Sequence, residues 1–161
     1  MDALEAIRKR RSIRNYTGDP IPRKDLEEIV DAGRLAPSGN NRQPWEFIVI
    51  TDKGIINELK SVAHWLENAG AVIAVVMDPS SRWWIEDGSA AVVNMLIAST
   101  AMGYGSCWLE GYTLLREEQF KALLGVPRDK RLFTLVSIGV AAEWPSKEKK
   151  SLEQVIHWEE Y

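Results

Sequence analysis

Five cations fall within seven positions of this chain, Arg8, Lys9, Arg10, Arg11 and Arg14, with no carboxylate among them. Like charges at that density repel each other unless water or an anion separates them. Arginine suits phosphate because its planar fork presents fixed donors, and Ser12 adds a hydroxyl between the arginines. Two readings stand side by side. Arg10–Arg11–Ser12–x–Arg14 is either an anion site or a basic helix end set against the negative pole of its own dipole.

Three later stretches also carry residues that could do chemistry. Pro37–Ser38–Gly39–Asn40–Asn41–x–Gln43–Pro44–Trp45 is dense in small and amide side chains, whose donors and acceptors can read the edge of a flat heterocycle. The alternative is a helix-to-strand turn that caps itself. In Gly103–x–Gly105–Ser106–Cys107–Trp108–Leu109–Glu110–Gly111, the glycines permit close approach of backbone to something planar. Cys107 has no base beside it, so a buried structural thiol is the simpler reading, and Glu110 is by default an exposed loop carboxylate. Lys147, Lys149 and Lys150 are either a solvated loop or a second set of cations closing on the same anion.

The composition bounds what these stretches can serve. Of 161 residues, 45% are hydrophobic and 27% charged, which is ordinary globular chemistry and predicts one domain over 1–161. A net charge of −3 argues against a nucleic-acid partner. One cysteine excludes an internal disulfide and suits the cytoplasm, and two histidines with one cysteine give no zinc set, so no metal is expected. No apolar run approaches the roughly 20 residues of a membrane span, and no signal peptide opens the chain, so no membrane partner is expected.

The elements that must position the motifs follow from periodicity. Leu4 and Ile7 mark a short first helix, broken at Gly18–Pro22. Leu26, Ile29, Val30 and Gly33 give an amphipathic helix ending before Pro37. Glu46–Thr51, Ala71–Met77 and Leu132–Ala141 read as buried strands. Ile55, Ile56, Leu59, Val62 and Ala63 mark another helix, and Glu117–Leu124 a short one. From Asp87 to Met102 the chain is small, apolar and nearly uncharged, which predicts a helix covered on almost all sides by core or by another subunit. Gly103–Tyr112 reads as a turn, and Ser151 caps a final piece. The order is that of an α/β domain.

The succession "RRSIRNY", "APSGNNRQPWEFIVI", "DGSAAVVNMLIASTAMGYGSCWLEGY", strand and basic C-terminal stretch resembles the nitroreductase family of FMN-dependent flavoenzymes, and does so over nearly the whole chain. The resemblance implies an α+β fold in three α/β/α layers, with a mixed, mainly antiparallel sheet and an intertwined homodimer. It implies FMN as cofactor, held by Arg10, Arg11, Ser12 and Arg14 at the phosphate, ribityl and pyrimidine edge. Pro37, Ser38, Gly39, Asn41 and Gln43 match the loop that reaches the flavin from the neighbouring subunit. Trp108, Leu109, Glu110 and Gly111 match the loop along the isoalloxazine, where a backbone N–H near Glu110 faces N5. Lys149 and Lys150 fall where the family has a basic pair near the phosphate.

No side chain need act as acid or base in such a site, because the flavin carries the reaction. The implied activity is hydride transfer from NAD(P)H, then electron transfer to a small flat acceptor such as a nitroaromatic or quinone, by a ping-pong mechanism. The same fold also admits a flavin-binding protein for storage, delivery or sensing; without the family match, an anion- or nucleotide-binding module remains. Longer family members insert roofing helices where this chain has only Asp78–Glu86. There, Trp83 and Trp84 either cover the pocket in part or pack on the core or dimer seam.

Overall fold

Every side chain of Ala71–Met77 (β2) is buried, so this strand needs neighbours on both faces and both edges. The computed structural model describes residues 1–161, apart from the side chain of Tyr112. Beside β2 it contains Trp45–Ile50 (β1), Gly105–Trp108 (β3) and Arg131–Gly139 (β4), in the sheet order β1-β2-β4-β3. All three strand pairs are antiparallel. The parallel component is one bridge, Ser12 to Ser106.

Alternation along β2 sorts its residues into two layers of core. Ile73, Val75 and Met77 join Leu26 and Ile29 of Arg23–Arg34 (α2) and Ala91 and Met95 of Trp84–Ala101 (α4). Val72, Ala74 and Val76 join Ile56 and Leu59 of Lys53–Leu59 (α3) and Phe120 of Glu117–Leu124 (α6). Each fully buried aliphatic side chain contributes about 1.5–3 kcal/mol, so a strand buried on both faces anchors the domain. Ala3–Lys9 (α1) packs on α4, and Glu110–Leu114 (α5) packs on β4. The three layers agree with the expected α+β architecture.

Three boundaries depart from the reading by periodicity. β3 lies inside Gly103–Tyr112, where glycines and small residues suggested only a turn; its four residues are strand because they pair with β4 from Gly139 to Val136. α4 begins at Trp84 rather than Asp87, because the Trp84 ring packs edge-on against Phe133 of β4, centroids 6.0 Å apart. The helix marked by Ile55 to Ala63 ends at Leu59 and continues as 3-10 turns. Nor does the chain's own core cover α4 on every side: Ile85 and Val93 stay exposed.

Two rulers measure the distance between the motif-bearing ends. β4 has nine residues, about 27 Å, with Arg131 beside Met77 and the start of β1, and Gly139 beside Gly105. α4 has 18 residues, also about 27 Å. Its first turn reaches Gly39, and Thr100 near its last turn lines a cavity with Arg11.

Candidate functional site

The arginine segment is extended, and that sorts its side chains. Ile13 is fully buried, and its N–H donates to the Ser106 carbonyl at 2.9 Å. The Tyr16 hydroxyl donates to the Ile13 carbonyl at 2.8 Å and lies 2.8 Å from the Ser137 hydroxyl. This close approach needs Gly105, where a Cβ would come within 2.8 Å of Ile13. With Ile13 turned inward, Arg10, Ser12 and Arg14 share the opposite face of the extended chain. Arg11 turns back instead. Its Nη1 donates to the Arg8 and Arg10 carbonyls, both at 2.8 Å, and so caps the carboxyl end of α1. Arg11 thus caps the helix, and it lines a cavity together with Arg10 and Arg14.

That cavity, about 330 Å³, is lined by Arg10, Arg11, Ser12, Arg14, Glu143, Pro145, Lys147 and Lys149. Five cations face one carboxylate, and among the described residues Arg10, Arg14, Lys147 and Lys149 make no salt bridge. Of the three C-terminal lysines, Lys147 and Lys149 line this cavity. Lys150 is not among the residues that line it. The guanidinium of Arg14 also rests on the Trp65 ring, 5.4 Å from its centroid. Burial pushes the Cys107 thiol up, and Arg14, Arg10 and Ser12 pull it down by less. It stays a neutral buried thiol.

Trp108 closes β3 with its ring against Phe133, centroids 6.2 Å apart, and its indole N–H is buried without a partner. Leu109 is buried, and its N–H donates to the Leu135 carbonyl at 2.9 Å. Glu110 then opens α5, so it and Gly111 supply first-turn N–H groups with no acceptor inside the helix. The Glu110 side chain is exposed, as its default reading has it.

The Pro37–Gln43 loop stands at the far end of the sheet. Ser38 Oγ accepts from the Gln43 N–H at 3.0 Å, and the Gln43 side-chain amide donates to the Asn41 carbonyl at 3.2 Å. In this respect the loop does cap itself. It also holds three non-glycine residues at left-handed φ, Asn40 (52°), Asn41 (55°) and Gln43 (51°). Such a conformation costs roughly 1–2 kcal/mol per residue, less for asparagine. Strain gathered in one exposed loop is a mark of a binding segment. Gln43 also lines a polar cavity of about 340 Å³ with Arg42, Trp45 and Lys130, but Lys130 is already matched by Asp78 and Glu46, each at 3.4 Å.

The two tryptophans of the shortened segment separate. Trp84 is half-buried on Phe133 and under the Arg131 guanidinium, so it belongs to the core. Trp83 is 38% exposed and lies on Gly39.

A model of the nitroreductase family matches residues 7–69 and 61–140. The chain belongs to the nitroreductase family. A protein of Archaeoglobus fulgidus, provisionally named an NADH dehydrogenase/NAD(P)H nitroreductase, is 40% identical over 94% of this chain and 90% of its own length. Among solved structures, an FMN-dependent nitroreductase from Clostridium difficile superposes with a TM-score of 0.89 at 27% identity, covering 98% of this chain and 99% of the other. A nitroreductase with bound FMN from Bacteroides fragilis gives 0.85 at 27% identity, over 99% and 100%.

Two residues that complete the candidate site were not singled out for it by sequence. Trp65 under Arg14, and Asp87 bonded to the Gly39 N–H at 2.9 Å, depend on long-range packing and have no local signal.

Proposed function

We propose that this chain is an FMN-dependent oxidoreductase that takes hydride from NAD(P)H and passes electrons to a small flat acceptor by a ping-pong mechanism. It works in the cytoplasm as a homodimer, with the whole of 1–161 as one flavin-binding unit. The observation that carries the reading is the cavity in which Arg10, Arg14, Lys147 and Lys149 gather without a salt bridge, facing the single carboxylate of Glu143. A cluster so arranged fits a dianionic phosphate, because a bound phosphate offsets the repulsion among the cations.

When bound, FMN supplies the hydride and electron chemistry. The chain supplies the rest. Arg10, Lys147 and Lys149 hold the phosphate, Ser12 donates a hydroxyl beside it, and Arg14 on Trp65 is directed to the pyrimidine edge. Trp108 and Leu109 line the ring, and the first-turn N–H groups of Glu110 and Gly111 serve as donors to it. Ser38, Asn41 and Gln43 reach the same ligand from a second copy, since within one chain the loop and the arginines stand at opposite ends of the sheet. The exposed Ile85 and Val93 of α4 are apolar surface for that copy to cover.

The test is anaerobic. Purified protein should be yellow, bleach on NADH or NADPH, and recover its colour when a nitroaromatic or quinone is added. Colour without bleaching would instead support a flavin-binding protein for storage, delivery or sensing. Colourless protein that takes up no added FMN would defeat the flavin reading.

A further inference from the structure

Asp87 is 5% exposed in the first turn of α4, far deeper than an acid placed only to complement a helix dipole needs to be. One carboxylate oxygen accepts from the Gly39 N–H at 2.9 Å, across 48 positions of sequence. The other is buried with no partner among the described residues. Burying a carboxylate with one oxygen unmatched opposes folding, so the position is not explained by stability.

Gly39 is also held from its other side. A Cβ on it would lie 2.3 Å from Cε3 of Trp83, so the indole rests directly on the glycine backbone. The strained residues Asn40, Asn41 and Gln43 follow at once. Trp83 is the N-cap of α4 and Asp87 lies in its first turn, so a rigid helix grips a strained loop at one residue.

We propose that Asp87 is a positioning residue: with Trp83 it clamps Gly39, so that Ser38, Asn41 and Gln43 are held in their outward conformation before the cofactor arrives. The inference rests on the reading of this loop as part of a flavin site. The shortened segment thus braces the loop instead of roofing the pocket. An asparagine at 87 keeps an oxygen for the Gly39 N–H, whereas alanine removes it.

The experiment pairs hydrogen exchange of the loop amides in cofactor-free protein with FMN titration, on wild type, Asp87→Asn, Asp87→Ala and Gly39→Ala. Asp87→Ala should speed exchange at Gly39–Gln43 by about ten-fold or more and weaken FMN by about as much, the usual effect of losing a charge-assisted hydrogen bond. Asp87→Asn should stay within about three-fold of wild type on both readouts. Should Asp87→Ala fail to fold, Gly39→Ala reports on the same grip: its Cβ would meet the Trp83 ring, so loop exchange should quicken and FMN affinity should fall. Unchanged loop exchange in Asp87→Ala or Gly39→Ala overturns the clamp. Faster exchange with unchanged FMN affinity shows a clamp that serves no site and overturns the proposal as well. If wild type binds no FMN, the proposed function fails, while loop exchange still decides the clamp.

Discussion

The two ends of β4 treat positive charge in opposite ways. At the first residue, Arg131 is saturated: its Nε and Nη2 donate to Glu117 at 2.7 and 2.8 Å, and its guanidinium covers Trp84. Beyond the last residue, the cations of the Arg10–Arg14 cavity have no carboxylate to match them except one Glu143. An arginine with a fixed bidentate partner is structural; arginines gathered without one are a site awaiting an anion. The contrast extends to the backbone, which is regular at the cavity and strained at the loop beside the Arg131 end.

The strongest way to break this comparison is complementation. One variant carries Arg10→Ala and Arg14→Ala, the other Asn41→Ala and Gln43→Ala; each alone should be inactive. If the two ends meet across subunits, mixing under exchange restores one intact site per heterodimer. Activity should then recover to about one quarter of wild type. If both ends serve one chain's own site, mixing restores nothing.

Next in size is the cost of single cations. Arg10→Ala or Arg14→Ala should each weaken FMN by about ten-fold or more, roughly 1.5–3 kcal/mol, in a fluorescence titration. Lys9→Ala should change little, because Lys9 is already paired with Glu5 at 2.7 Å. Equal losses in all three variants would erase the distinction between paired and unpaired cations.

At the Arg131 end the effect should fall on stability alone. Burial acts to raise the Glu117 carboxyl, but Arg131 and the Leu132 N–H outweigh it, so its pKa lies below the ordinary 4.5. A depressed carboxylate contributes stability above its unfolded pKa and loses it as pH falls through the folded value. Glu117→Gln should therefore cost about 1.5–3 kcal/mol by urea unfolding near pH 7, and the gap should close below about pH 4. FMN affinity should not move. The smallest expected effect separates neighbours: Lys149→Ala should weaken FMN by about three- to ten-fold, and Lys150→Ala not measurably.

What sequence could reveal follows the range of the forces involved. β2 was legible because burial on both faces leaves an unbroken apolar run, and α2 because its pattern repeats every turn. The Arg10–Arg14 and Pro37–Gln43 motifs were legible because unusual composition needs no partner to be noticed. β3 was hidden, since Gly105–Trp108 is strand only through pairing with β4. The start of α4 was hidden too, because Trp83 at its cap makes no side-chain hydrogen bond and the Trp84 contact with Phe133 is tertiary. Asp87 marked only the start of the apolar helix, and nothing near it in sequence points to Gly39.

The bridge from Ser12 and Ile13 to Ser106 has a consequence for solubility. β3 is the last strand of the sheet, and an exposed last strand is a template on which another chain can add its own backbone. Here that template is engaged at Ser106 by the arginine segment, in one hydrogen-bonded register, with a band of like charge along its outer side. A foreign strand would have to displace Ile13 from the core and approach through the cations. The segment assigned to the cofactor thus also guards the sheet against edge-to-edge aggregation.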